Sequence, residues 1–265
     1  MNEIVPNEQL PEWSSDYRGL PNALARSALF TVAREGIRKQ FKEETIAASQ
    51  GITLVYTGEE LRQDDEDVFL QVLHIAKEQR LGENISFSAN SMLEALGRTR
   101  NVGSYERLTT SLKRMTGMLL QLSVRLPDGT YLRYGGSLIS EFSVREKLDG
   151  DHSVQNWVVS LHKTIVKLFD PQAYSLIHWP TRKGLSPTTK WLHAYYSTHK
   201  RPFPVKVETL RRAMASETKA TRTFRANLKD SLEGLVEQGF FLSAKIDPKS
   251  DLVIVERAAD KKLLE

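Results

Sequence analysis

The sequence predicts an α+β chain in which two tandem winged-helix domains follow a mostly irregular N-terminal arm, and three observations predict it. The stretch NVGSYERLTTSLKRM at 101–115 stacks Leu108, Leu112 and Met115 on one helical stripe and holds Arg107, Lys113 and Arg114 off it. Two turn sequences, PDGT at 127–130 and DPKSD at 247–251, each separate a pair of alternating segments, the signature of a β-hairpin. The order helix, strand, helix, turn, helix, hairpin then occurs twice along the chain. In a winged helix that order puts the third helix in the major groove of DNA and lays the hairpin along the backbone.

The first fifty residues, with PNEQLPEWSSDYRGLPN rich in Pro, Asn, Ser and Gly, read as an extended arm (1–50) with one short helix at 22–34. The first domain is expected over 51–150. It opens with GITLVYTG as a strand, and DEDVFLQVLHIAKEQ then sets Val68, Val72, Leu73 and Ile75 at helical spacing behind an acidic first turn. NISFS is a short strand, after which Ser88 caps a helix through ANSMLEALG and Gly97 stops it. The turn RTRNVGS leads into the cationic helix, and LLQLSVRL and YLRYGGSLI flank PDGT.

The second domain, expected over 151–265, repeats the order. SPTTKWLHAYYSTH is a helix, FPVKV a strand, VETLRRAMA a helix, SETKATRT the turn, FRANLKDSLEGLVEQG a long helix, and FFLSAKIDPKSDLVIVE the hairpin. A shift of 116 positions lays Leu108 on Phe224, Leu112 on Leu228, Lys113 on Lys229 and Leu119 on Leu235. The second long helix carries Arg222, Arg225 and Lys229 on one face at spacings of three and four.

Charge points to the same ligand. The formal net charge is only +4, but between Arg182 and Lys229 twelve Lys and Arg stand against Glu208 and Glu217, an excess suited to phosphates. GEELRQDDEDVF at 58–69 holds six acids against one Arg and would be repelled by the same polyanion, so a binding face and an acidic back are expected.

Other chemistry is disfavoured. The chain has no cysteine, which excludes disulfides, thiolate metal sites and cysteine nucleophiles. Its six histidines show no metal-ligand spacing, and there is no phosphate-cradling G-x-x-x-x-G-K-[ST] loop. The Ser-x-x-Lys matches at 160–163 and 216–219 lack the companion motifs of acyl enzymes. Asp64, Asp65, Glu66 and Asp67 open a helix and read as capping and macrodipole residues rather than as a divalent-ion site. Tyr195 and Tyr196 lack the neighbouring histidine pair of a nicking enzyme and read as packing residues. The opening MNEIVPNEQLPEW has neither the basic nor the apolar region of a secretory signal, and no apolar run is long enough to span a membrane, so a cytoplasmic protein without cofactors or metals is expected.

At LPNALARSALF, DDEDVFLQVLHIA and SMLEALGRTRNVGSYERLTTSLKRM, the sequence resembles the TrfA family of plasmid replication initiators, over roughly residues 20–256. The resemblance implies two winged-helix domains, no enzymatic activity, binding of double-stranded origin DNA at directly repeated iterons, and DNA opening. It also implies recruitment of host replication proteins (replicative helicase, host initiator, sliding clamp) and a homodimer in equilibrium with monomer. The DNA contacts it implies lie in the turn and third helix of each domain: Arg98, Arg100, Ser104, Arg107, Lys113 and Arg114, then Arg211, Lys219, Arg222, Arg225 and Lys229. RSALF at 26–30 keeps Ser27, Leu29 and Phe30 of a clamp-binding peptide but lacks its leading Gln-Leu, and docking of Leu29 and Phe30 on the first domain is the alternative. A transcriptional regulator on the same fold is the competing function, and a relaxase-type nicking enzyme the weaker third.

Overall fold

The computed structural model describes residues 9–49, 51–78, 84–125, 129–149, 152–170 and 172–258. In the first of these segments β1 (Tyr17–Pro21), α1 (Asn22–Ala25), β2 (Phe30–Thr31) and β3 (Gln40–Thr45) follow one another. The expected irregular arm is instead a woven part of the core, with Leu20, Leu24 and Phe30 at most 1% exposed. The expected helix at 22–34 lasts one turn because Ala28 N–H bonds across to Ala47 and Ser49 N–H to Arg26, which draws the backbone into a bridge at Ser27 and Ala48. Gly19 in β1 has no room for a side chain: a Cβ would lie 2.7 Å from the Trp13 ring.

The next elements are β4 (Ile52–Glu59), β5 (Leu61–Arg62), α2 (Gln63–Ala76), β6 (Asn84–Ser88), α3 (Ala89–Ala95), α4 (Val102–Thr116), β7 (Leu119–Arg125), β8 (Tyr131–Gly136), β9 (Glu141–Asp149) and β10 (His152–Ser160). Ser88 caps α3 by accepting from Ser91 N–H, and Gly97 takes up a φ of +67° just beyond it, as stop residues do. Asn101 caps α4 by accepting from Ser104 N–H at 2.9 Å, and Leu108, Leu112 and Met115 are fully buried beneath that helix. Strands β7 and β8 pair as expected around PDGT, whose first two residues lie outside the described residues, and the pair continues into a sheet ordered β3-β4-β7-β8.

After a 3-10 turn at Lys163–Phe169 come β11 (Tyr174–His178), α5 (Trp179–Lys183), α6 (Pro187–Ser197), β12 (Val205–Lys206), α7 (Val207–Ala213), α8 (Thr221–Glu237), β13 (Phe241–Ile246) and β14 (Leu252–Arg257). The fold is mixed α and β. Strand β11 pairs antiparallel with β1, β6 with β10, and β12 joins the last hairpin in the order β12-β14-β13.

Packing does not divide the chain at residue 150. Strands β9 and β10 pair from Glu141 with Ser160 to Asp149 with His152, so that boundary would cut through a hairpin, and Trp157 and Val159 of β10 are buried in the first core. One apolar core takes in residues from Leu10 to Ala194, and a second runs from Trp191 to Val255 with Val32 added, so the change of core falls within α6. The 116-residue shift also has a limit. Leu119 starts β7 and is 43% exposed, whereas Leu235 is buried, because α4 stops at Gly117 while α8 runs on to Glu237.

The acids of 58–69 do not form an exposed back. Asp65, Glu66 and Asp67 are buried at the start of α2, where Asp65 closes the helix N-terminus by accepting from Arg62 N–H. Arg38 and Arg114 bind Asp65 at 2.7 and 3.0 Å, and the fully buried Arg182 binds Glu66 and Asp67, each at 2.8 Å. Lys190 also pairs with Asp67, so two of the cations counted toward a phosphate-binding surface neutralise this cluster instead.

Candidate nucleic-acid interface

In both halves a short helix, a turn and a long helix precede a hairpin, and the long helix shows one apolar and one cationic side. α8 buries Phe224, Leu228, Leu232 and Leu235 and leaves Arg222 and Lys229 exposed. Its approach, from Ala215 to Ala220, is held by Arg211, whose guanidinium donates to the carbonyls of Thr218 and Lys219 at 2.6 and 3.2 Å and lies over the Phe224 ring at 5.9 Å. Arg211, one of the expected DNA contacts, thus braces the turn through one guanidinium nitrogen. Lys219 is exposed beside it. Arg225 is half-buried and bonds the carboxylate of Asp251 in the turn of the following hairpin, and Lys229 makes an open 3.5 Å pair with Glu233.

The expected contacts around α4 part into two groups. Ser104 is fully buried and Arg114 is 12% exposed, tied to Asp65 and to Glu59 at 3.1 Å, so both leave the contact set. The cause is geometric: Arg114 follows Lys113 by one residue, which turns it by 100° toward α2. Lys113 and Arg107 are exposed, the latter donating to Ser104 Oγ. Arg100 forms an exposed pair with Glu94 at 2.8 Å, and Arg98 donates to the Asp64 carbonyl at 3.0 Å. An exposed pair of that kind contributes little and is easily exchanged for a phosphate.

The hairpins add cations that helical spacing did not flag. Arg125, Tyr131 and Arg133 are exposed on β7 and β8, with Arg125 opposite Tyr131, and Lys245 and Lys249 are exposed at the second hairpin. The period-two alternation of YLRYGG was the available signal, since it puts Tyr131 and Arg133 on the face opposite Leu132 and Tyr134.

Other expected sites change. Ser27, Leu29 and Phe30 are 1–3% exposed, with Ser27 Oγ donating to the Leu24 carbonyl and Phe30 stacked on Phe69 at 6.2 Å. A clamp-type peptide must be accessible, and this one forms core; Leu29 and Phe30 instead dock inward. Tyr195 and Tyr196 are buried, Tyr195 stacked on Trp191 at 5.0 Å. Among the described residues no group of three or more acids and histidines is arranged to hold a metal ion, and no helix is long and apolar enough to cross a membrane.

A family model described as TrfA protein matches residues 7–257. The chain is 29% identical over 248 residues to the plasmid replication initiator protein TrfA of Escherichia coli, a match covering 92% of this chain and 63% of that protein. This chain thus spans less than two thirds of that relative's length. Two crystal structures of RctB domains 2 and 3 share the fold, with TM-scores of 0.58 and 0.59 over 89% of this chain and 96% and 97% of theirs, at 12% and 11% identity.

Proposed function

The chain belongs to the TrfA family, and from that premise we propose that it is a plasmid replication initiator. It binds directly repeated double-stranded origin DNA through two winged-helix modules, helps open the origin and recruits host replication proteins, without catalysing a reaction itself. α4 and α8 are the recognition helices and the two hairpins the wings. The observation that carries this reading is the pair of long helices whose apolar sides are buried while Arg107 and Lys113 on one, and Arg222 and Lys229 on the other, stay exposed. Lys219 and Arg225 complete the second surface. Val102, 73% exposed in the first turn of α4, adds an apolar contact of the kind that reads a thymine methyl.

Two tethered but unlike modules read an asymmetric site in successive major grooves, of roughly 20 base pairs for one chain. Gel-shift titration on duplexes carrying direct repeats, followed by a replication assay with the protein supplied in trans, tests the reading. Binding to the repeats and support of replication are expected. A footprint centred on a palindrome, with no replication, would favour a dimeric transcriptional regulator.

A further inference from the structure

We infer that Asp251, in the turn of the second hairpin, is a positioning residue that aims Arg225 and thereby sets the sequence discrimination of the second module. The inference rests on the proposed DNA-binding role of α8. Asp251 joins three parts of the module. Its backbone carbonyl accepts from Val207 N–H at 3.0 Å, at the start of α7; its N–H donates to the Asp247 carbonyl at 3.0 Å; and its carboxylate takes the Arg225 guanidinium of α8. The turn is stiffened from within, because the Asp247 carboxylate accepts from Lys249 N–H at 3.2 Å and from Ser250 N–H at 3.3 Å. Asp251 itself has a φ of +57°, a conformation that Asp, Asn and Gly tolerate and most residues resist.

The consequence for Arg225 is one of entropy and direction. A free arginine on a helix surface samples many rotamers, and freezing them costs free energy when it meets a base. Arg225 is already held at one guanidinium nitrogen by a group whose backbone is bonded to two further segments, which narrows the orientations open to the remaining donors of its planar fork. A bidentate contact to a guanine edge needs that kind of orientation, whereas a phosphate contact does not. Arg222, three residues earlier on the same helix, has no ion pair among the described residues and is exposed. The two arginines therefore divide the work: Arg225 discriminates and Arg222 adds affinity.

The test begins with selection by the parent protein from a randomised 20-base-pair duplex library, then compares binding to the selected duplex and to its scrambled counterpart. Asp251→Asn keeps the left-handed backbone and removes the charge; Asp251→Gly keeps the backbone and removes the side chain. Each is expected to lose about tenfold in the selected-to-scrambled ratio, as Arg225→Ala does, and Asp251→Asn combined with Arg225→Ala should lose no more than Arg225→Ala alone. A parent that enriches no sequence overturns the DNA-reading function itself. A parent that enriches one, with both Asp251 variants keeping its ratio, overturns only the positioning role. So does tighter binding of both duplexes by equal factors, which would make Asp251 a repelling charge, and so does failure of both variants to melt as folded proteins, which would make it a structural residue.

Discussion

α4 and α8 hold corresponding places in the two halves but are anchored in opposite directions. α4 is tied inward: Arg114 and Ser111 reach the buried Asp65 of α2, and the hairpin that follows is fused into a four-stranded sheet with β3 and β4. α8 is tied outward, through Arg225 to its own hairpin, which among the described residues is joined by the two-residue β12 alone. Each helix leaves two cations exposed; the third cation of α4, Arg114, is turned onto the buried Asp65, whereas that of α8, Arg225, is half-buried against the hairpin at the surface. Similar element order therefore does not give two equivalent cationic faces, and under the proposed DNA-binding role the second module is expected to dominate affinity.

The largest effect that tests this contrast is on stability. Arg182→Ala should cost about 3–5 kcal/mol in denaturant unfolding, because Glu66 and Asp67 would be left buried with a missing partner. Arg222→Ala, at an exposed position, should stay within about 0.5 kcal/mol of the parent. A comparable loss in both would mean that the buried charge cluster does not carry the stability assigned to it.

On binding the order reverses. Arg222→Ala or Arg225→Ala should weaken complex formation by about 1–3 kcal/mol, while Arg114→Ala, withdrawn into the core, should leave affinity unchanged once the folded fraction is matched. Equilibrium titrations of the three variants on one duplex check it.

Salt and acid give smaller signals. If Arg107, Lys113, Lys219, Arg222 and Lys229 meet phosphates while Arg225 reads a base, the log-log dependence of affinity on salt should have a slope of about −4 to −5. Loss of Lys229 or Lys113 should reduce it by roughly one; a flat response in the parent would remove the polyanion reading. As for pH, burial holds His193 well below the usual histidine range, with Arg182 and Arg257 adding to the effect, and burial likewise takes His74 down to about 4. A folded-state value below the unfolded one means these groups support folding above pH ~6.5 and cease to do so as pH falls from there toward their folded values. The melting temperature should therefore drop on acidification from pH 7 to 5. Among the described residues neither ring nitrogen of His193 has a hydrogen-bond partner, so His193→Leu should be tolerated at pH 7 and should shrink that drop. An unchanged acid response in the variant would assign the effect elsewhere.

Local pattern made the long helices and hairpins legible, since their burial follows a period of 3.6 or 2 within one segment: Leu108, Leu112 and Met115 under α4, or Leu132 and Tyr134 in β8. The N-terminal strands were not legible because their partners are remote. Tyr17 pairs with His178 and Phe30 with Leu61, and nothing in the Pro- and Asn-rich sequence around them encodes that. The acidic run was misjudged for the same reason: Asp65 and Asp67 meet Arg114, Arg182 and Lys190 only after folding, so a linear charge count set apart groups that neutralise one another. At the interface, residue type marked Lys113 and Arg222 equally with Arg114 and Arg211, and only the rotation around each helix and the path of the turn separates the two pairs.

Hydroxyl-radical footprinting of one chain on a duplex bearing direct repeats asks whether the two helices read DNA together. Two protected stretches about one helical turn apart are expected, within a site of roughly 20 base pairs that has no dyad symmetry. Arg107→Ala with Lys113→Ala should erase one stretch, and Lys219→Ala with Arg222→Ala the other. A single protected stretch that survives the second pair of substitutions, or one centred on a palindrome, would contradict tandem recognition by α4 and α8.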